Sequence, residues 1–570
     1  MNREEKYDIV IVGGGPNGTT AAAYLAKCGM SVCVLEERPE AGGSIENVEV
    51  IPGVRIDPHA TYMYAGAAPG FDQLELWKYG FRMDWRQEKL DKMLAAMMAT
   101  GKIHLCLTTE GMAKPTEKDT LNWMKLTGMD PSAPFTRELL RAIYWCPPHP
   151  PEVEVTAENI PYMQVYKRHQ PDVWTEELLE MTLFELMDEY VESEPVKMLH
   201  AMVSWYSGAS PEWEGVAIPA LGGECLLGYT FSNPPRGGMH DYFHAIIRCA
   251  IAHGAVIRTC CPVDEIIISN GRAAGVRLRE TAAQGEKTIW ADKAVLSGVD
   301  VKQTFLKLIG RRHLDASFIQ RIKDISLKAS SIYVSHFLFK GRPRYRARFA
   351  LEGTDMIPGQ GVYPCDSREI YYEHLADING RKGPPSMPVE KVMWIDCGSK
   401  LEIPDACTIP GHYLISPLYV IVPPPEYLVG GPEAIDKQKA KWDAYMREAL
   451  GQVLETDNIV AQWSNTPWES EHRNVGLIGG GWYATRHCRD QWAENRPNRL
   501  LPELARYRTP IDGLYLCNQS SCHPGGLALM AIPYNLMHIL IEDGLVEPGD
   551  WWYPSPWYIP QQGKISAKPR

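Results

Sequence analysis

Residues 7–18 read Tyr-Asp-Ile-Val-Ile-Val-Gly-Gly-Gly-Pro-Asn-Gly, and the expected architecture follows from them. Tyr7 to Val12 is a short, β-branched, almost wholly apolar run, the pattern of a parallel strand buried on both faces. The glycines that follow satisfy G-x-G-x-x-G through Gly13, Gly15 and Gly18, with Pro16 and Asn17 between the last two. Thr19 to Lys27 is alanine-rich and helix-forming, and Gly29 stands where a helix stops. A second apolar strand, Ser31 to Leu35, ends at Glu36, at the separation from the glycines that a ribose-binding acid needs. Each part has a physical task. Gly13 permits the tight turn, Gly15 lets a pyrophosphate approach the main chain, and Gly18 lets helix and strand pack closely. The helix start offers free N–H groups and a positive dipole end, and Glu36 is placed to accept hydrogen bonds from ribose hydroxyls. Strand, turn, helix, strand and acid together predict a dinucleotide site.

Further along, Glu36-Glu37-Arg38 runs into Gly42-Gly43-Ser44, a second glycine pair that lets another main-chain segment lie against the dinucleotide. Gly237-Gly238-Met239 opens a predicted helix ending at Gly254. Strands follow over Ala255 to Thr259, Val263 to Ile268, Ala274 to Leu278 and Ile289 to Val299, with Asn270-Gly271 as a hairpin turn. Pro510 to Asn518 is predicted as a strand, and Cys522-His523-Pro524-Gly525-Gly526 leads into an apolar helix from Leu527 to Ile541.

These motifs resemble the phytoene desaturase-like flavoproteins of the FAD-dependent amine oxidase superfamily, including the branch of pyridine nucleotide-disulfide oxidoreductase domain-containing protein 2. Thr466-Pro467-Trp468-Glu469-Ser470-Glu471, Gly479-Gly480-Gly481 and Arg496-Pro497 extend the likeness. The resemblance implies FAD as cofactor, with Glu36 on the ribose and Glu37, Arg38, Gly42, Gly43 and Ser44 along the dinucleotide. It implies Val263 as a main-chain grip on the adenine, and Asn518, Gly525, Gly526 and Leu527 near the flavin. Relatives often carry glycine at position 518, a third glycine where Leu527 stands, and arginine at position 44.

The expected fold is α/β with an α+β substrate region: a discontinuous Rossmann-type FAD-binding domain with an inserted mixed-sheet and helical substrate domain. The FAD-binding pieces are 1–90, 216–305 and 491–550. The substrate pieces are 91–215 and 306–490, and 551–570 is a tail.

Composition narrows the function. The 570 residues are 45% hydrophobic and 22% charged, the profile of a globular protein, and the net charge of -12 argues against nucleic-acid binding. No run of about 18 apolar residues marks a membrane span, and Met1 to Lys6 is not the start of a secretory signal. A cytoplasmic location is expected, with the 14 cysteines as free thiols, since none forms C-x-x-C. Met and aromatic residues in the inserted regions, among them Trp145, Tyr162, Tyr166, Trp205 and Tyr419, suit either a core or an apolar substrate pocket. Leu414 to Val422 is apolar, and Arg342, Arg344, Arg346 and Arg348 would share one face of an extended segment. That face reads as a solvated edge or as a peripheral membrane or partner contact. His240 and His244 have metal-binding spacing on a helix, but residue 241 is Asp where H-E-x-x-H needs Glu, so no metal is expected.

The reading is an FAD-dependent oxidoreductase that dehydrogenates or oxidises an allylic C–H or C–C bond of an apolar isoprenoid, terpene or alicyclic substrate. His523, Tyr534, His59 and Glu471 are the candidate catalytic groups. The electron acceptor is open among quinone, oxygen and a redox protein, and a homo- or hetero-oligomer is allowed. The alternatives are an amine oxidase, a redox-neutral flavin isomerase or hydratase, and a non-catalytic FAD-binding partner subunit.

Overall fold

Strand β1 (Glu5–Val12) lies in the middle of a seven-stranded sheet because Ile9 to Val12 carry no polar side chain to send to water, and all four are buried. The computed structural model describes residues 5–60, 66–82, 103–129, 133–206, 208–231, 238–283, 287–327, 330–349, 361–381, 383–397, 406–421, 429–482, 501–520 and 528–561. From one edge the sheet runs Val256–Arg258, β2 (Val32–Leu35), β1, Thr288–Ser297, Arg272–Leu278 and Val263–Ser269. Leu514–Leu516 pairs with the end of Thr288–Ser297. The β1 pairings are parallel, as are those of Val256–Arg258 with β2 and of Leu514–Leu516 with Thr288–Ser297. The hairpin 263–278 is antiparallel, and its turn residues Asn270 and Gly271 have φ of 50° and 78°. Two successive positive φ angles are what a right-twisted two-residue hairpin requires.

The register aligns Val12 with Leu35 and with Ser297, and Ser297 with Leu516. Four strands thus end at one edge, the place where open α/β sheets bind ligands. Helix α1 (Pro16–Lys27) leaves β1 at this edge, with Pro16 pre-set at its first turn. Its small residues Ala21, Ala22 and Ala23 are buried, which lets helices Gly238–Ala252 and Ala531–Glu542 pack close against it.

Two C-terminal expectations are corrected. The strand predicted over 510–518 is only Leu514–Leu516, because Pro510 has no N–H to pair and Gly513 turns the chain at φ 67°. The helix predicted from Leu527 begins at Ala531, after Met530 breaks the path at φ 63°.

An eight-stranded sheet forms a second layer, in the order His412–Ile415, Ser331–Lys340, Leu418–Ile421, Ile395–Asp396, Val362–Tyr363, Ile103–Thr108 and Gly111–Ala113. Ile459–Asn465 also pairs with Ser331–Lys340. Helices between Glu117 and Phe231 pack on one another beside it, and Ala217–Phe231 packs with that group. Thr116 with Asp119, Thr182 with Glu185 and Thr466 with Glu469 form reciprocal capping boxes that fix helix starts. Among the described residues no helix is long and apolar enough to cross a membrane.

The arginines at 342–348 do not form an extended stripe. Arg346 Nε and Arg348 Nη2 donate to the carbonyls of Gly451 and Gln452 at the end of helix Lys439–Val453. Cations there satisfy the last carbonyls and oppose the negative dipole end. Segment 551–561 folds back on the molecule. Trp551 stacks on Tyr24, and Trp552 packs on Tyr24, Tyr534 and His538.

Candidate cofactor site

Gly13 leaves β1 at φ 97°, its N–H bonded to the Leu35 carbonyl, and turns the chain under the sheet edge. A Cβ on Gly18 would stand 2.2 Å from the Gly13 carbonyl oxygen, so only glycine lets α1 start this close to β1. Gly43 has φ of 57°, and a Cβ there would lie 3.1 Å from the Gly15 Cα. The two glycine turns therefore pass main chain against main chain. Helix α1 has no side-chain cap and no acid in its first turn, which leaves its amide end and its dipole open to an anion.

These elements wall a cavity of about 640 Å³, within the usual size for a cofactor cleft. Gly13, Gly15, Pro16, Asn17, Gly18, Glu36, Glu37, Arg38, Gly43, Ser44, Val263 and Asn518 line it. Gly42 lies just outside, its N–H bonded to the Gly14 carbonyl and its φ at 153°.

Glu36 is buried at the end of β2. Its Oε2 accepts from Gly14 N at 2.8 Å and its Oε1 from Arg38 N at 2.9 Å. Burial pushes its carboxyl up, and those two N–H bonds work against the rise. Further donors, such as a pair of ribose hydroxyls, would favour the carboxylate in the same way. The carbonyls of Glu36 and Arg38 accept from Cys261 N and Cys260 N, which carries Val263 to the same end of the cleft. Arg279 reaches Glu37 at 2.9 Å across the rim.

At the opposite end Asn518 is buried and braces the loop that follows its strand. Its Oδ1 accepts from Ser520 N and Oγ at 3.0 and 2.7 Å, and Ser520 Oγ accepts from Val301 N. The amide therefore serves its own loop.

Sequence reasoning missed Glu46, the most heavily engaged acid of the site. It is 3% exposed and receives Arg38 Nη2, Arg473 Nε at 2.7 Å and His59 Nδ1 at 3.0 Å. Burial acts to raise its carboxyl, but the bonds from His59, Arg473 and Arg38 outweigh it and bring the group down to about 2. His59 is wholly buried, and burial holds its imidazole below the usual range despite the neighbouring Glu46 carboxylate. Nothing in the local sequence Ser44-Ile45-Glu46 signals this role, because Arg473 comes from 427 residues away. Asp300, Gln303 and Asn474, also in the lining, follow no motif.

The four catalytic candidates fare differently. His59 touches the glycine-pair loop through Glu46 and the bond from Ala60 N to the Ser44 carbonyl. Tyr534 donates to the Tyr553 carbonyl at 3.2 Å, under the folded-back segment and away from the cleft. Glu471 is half-buried on helix Pro467–Arg473, from which Arg473 lines the cavity and Glu471 does not. His523, Gly525, Gly526 and Leu527 lie outside the described residues.

A family described as an NAD(P)-binding Rossmann-like domain matches residues 11–74, the segment that holds both glycine turns and Glu36. The chain is similar from end to end to the rat pyridine nucleotide-disulfide oxidoreductase domain-containing protein 2, at 26% identity over 94% of each chain. It is 24% identical to a subunit of the limonene dehydrogenase of Castellaniella defragrans, over 97% of each. The chain is an FAD-type oxidoreductase. A redesigned putrescine oxidase superposes on this flavoprotein with a TM-score of 0.56 at 14% identity, covering 95% of this chain and 99% of the other, and shows the shared fold. An oxidoreductase from Methanosarcina mazei does so with a TM-score of 0.54 at 14% identity, covering 94% and 100%.

Proposed function

We propose that the flavoprotein dehydrogenates, or oxidises at an allylic C–H or C–C bond, an apolar isoprenoid, terpene or alicyclic compound. The observation that carries this reading is the end-to-end similarity to a subunit of limonene dehydrogenase. An apolar substrate has no charge to recognise, so desolvation and shape must hold it.

When bound, FAD supplies the hydride acceptor. The chain's own groups do the rest. Glu36 would hold the ribose and the α1 amide end the pyrophosphate of the dinucleotide. Glu46 fixes Arg38 and Arg473 at the glycine-pair loop, and His59 fixes Glu46. Tyr534 is assigned to the fold through its bond to Tyr553. Among the four candidates, we propose His523 as the base for the one proton that leaves with the hydride. We further propose that a second polypeptide receives the electrons or completes the enzyme, as the word subunit in that relative's name suggests.

The test is an anaerobic titration of the purified holoprotein with terpenes, alicyclic ketones and acids, and amines, read at the flavin absorbance band. Bleaching by a terpene or alicyclic compound is expected, with loss of rate but not of flavin in His523→Asn. Bleaching by amines alone would move the protein to amine oxidation and sink the proposal. Adding oxygen or a quinone afterwards identifies the acceptor. If neither restores the colour, a protein acceptor is the reading to pursue by co-purification.

A further inference from the structure

Helix Gly238–Ala252 carries His240 and His244 one turn apart, so both rings leave the same face. That face meets the loop between Glu36 and Gly42, and the residue it meets is Glu40. The sequence offers no reason to join Glu40 to these distant histidines. One ligand-capable atom from each of the three side chains lies within 4.8 Å of the others. His240 Nε2 is 3.1 Å from Glu40 Oε1, and the two ring centroids are 4.1 Å apart.

We propose that Glu40, His240 and His244 form a site for a divalent transition-metal ion of the zinc class. Two imidazoles and one carboxylate are a borderline-soft set that suits zinc, whereas magnesium and calcium want oxygen alone. Zinc–ligand bonds of about 2.0–2.2 Å put tetrahedral ligand atoms roughly 3.3 Å apart, so small side-chain rotations close the observed group around an ion. Glu40 is the exposed member, with its side chain 55% accessible, which leaves an entry path and room for a water as fourth ligand. Asp241 and Arg248 are the nearest other charges, and Arg248 is turned to the Tyr79 carbonyl at 3.2 Å.

The consequence is mechanical. Glu40 stands between Glu36 and Gly42, so a bound ion would pin the cofactor loop to a helix that packs on α1.

The experiment uses the full-length holoprotein, freed of metal with a chelator and titrated with zinc alone against a competing chelating dye. One zinc per chain is expected, together with a melting temperature that rises with zinc. Glu40→Gln and His244→Gln each remove a ligand and should each bind at least about tenfold more weakly, the cost of losing even an outer partner of a ligand. Glu40 is exposed, so its variant keeps the fold even if the histidine variant does not, and metal-free melts of both report this directly. Failure of the wild type to hold zinc would overturn the proposal, as would equal affinity in all three proteins.

Discussion

The two sheets bury their polar groups in opposite ways. In the seven-stranded sheet the buried polar groups gather at one edge, where Glu36, Ser297 and Asn518 end strands or follow them beside the cleft. At the eight-stranded sheet they pair with the loops and helices that cover it. Tyr333 donates to Asp443, His336 meets Ser416 at 2.8 Å and Tyr419 meets His374 at 2.8 Å, and between two of the neighbouring helices Trp205 donates to Tyr371. The first sheet therefore presents hydrogen-bonding capacity to a ligand, and the second spends much of its own on internal pairs. The aromatic residues of the second region are consequently core: Trp145, Tyr162, Tyr166 and Trp205 are at most 3% exposed, and the Tyr166 hydroxyl is spent on the Leu126 carbonyl.

Substitutions on the helices that pack beside the two sheets should separate cofactor from stability. Gly18→Val places a side chain on the Gly13 carbonyl and should give protein with less than about a tenth of the wild-type flavin, beyond the roughly 1–3 kcal/mol of ordinary overpacking. Trp442→Ala removes the ring stacked on Tyr333 and should cost about 3–5 kcal/mol by denaturant melts. The fraction that folds should carry full flavin. Equal flavin loss in both variants would erase the distinction between the sheets.

Glu46→Gln probes the same distinction through pH. Because the Glu46 carboxyl sits at about 2 instead of 4.5, its ionised form contributes stability above pH 4.5 that is lost as pH falls toward 2. The variant should be roughly 3 kcal/mol less stable near neutral pH, and the gap should close as pH falls from 4.5 to about 2. A gap that does not vary with pH would mean that packing, not charge, holds the cluster. The smallest effect is expected of Tyr534→Phe, which loses one bond to a carbonyl. It should cost about 1 kcal/mol and leave the rate of flavin reduction unchanged. A slowed reduction would return Tyr534 to the chemistry.

The contrast also explains what was legible in the sequence. A main-chain site needs glycines at fixed offsets, and Gly13, Gly15, Gly18, Gly42 and Gly43 announce it within one short stretch of chain. Glu46 with Arg473 and Glu40 with His240 are side-chain meetings between distant segments, and no local spacing encodes them. Glu471 and Arg473 show the limit at its narrowest. They are next-but-one neighbours on one helix, they point to different faces, and the cleft takes the second. The segment after Leu516 failed for a related reason, since the positive φ at Met530 belongs to a residue type with no preference for it.

The order of strands in the first sheet bears on how the chain is made. One neighbour of β1 is Thr288–Ser297, from the middle of the chain, and that strand in turn awaits Leu514–Leu516, close to its end. At synthesis rates of about 5–20 residues per second, β1 waits on the order of a quarter minute to a minute for this partner. The helices between Glu117 and Phe231 have time to gather into their cluster before that. The aromatic region is thus made before the two later strands of the cleft edge, and the dinucleotide cleft closes only after Leu514–Leu516 has emerged.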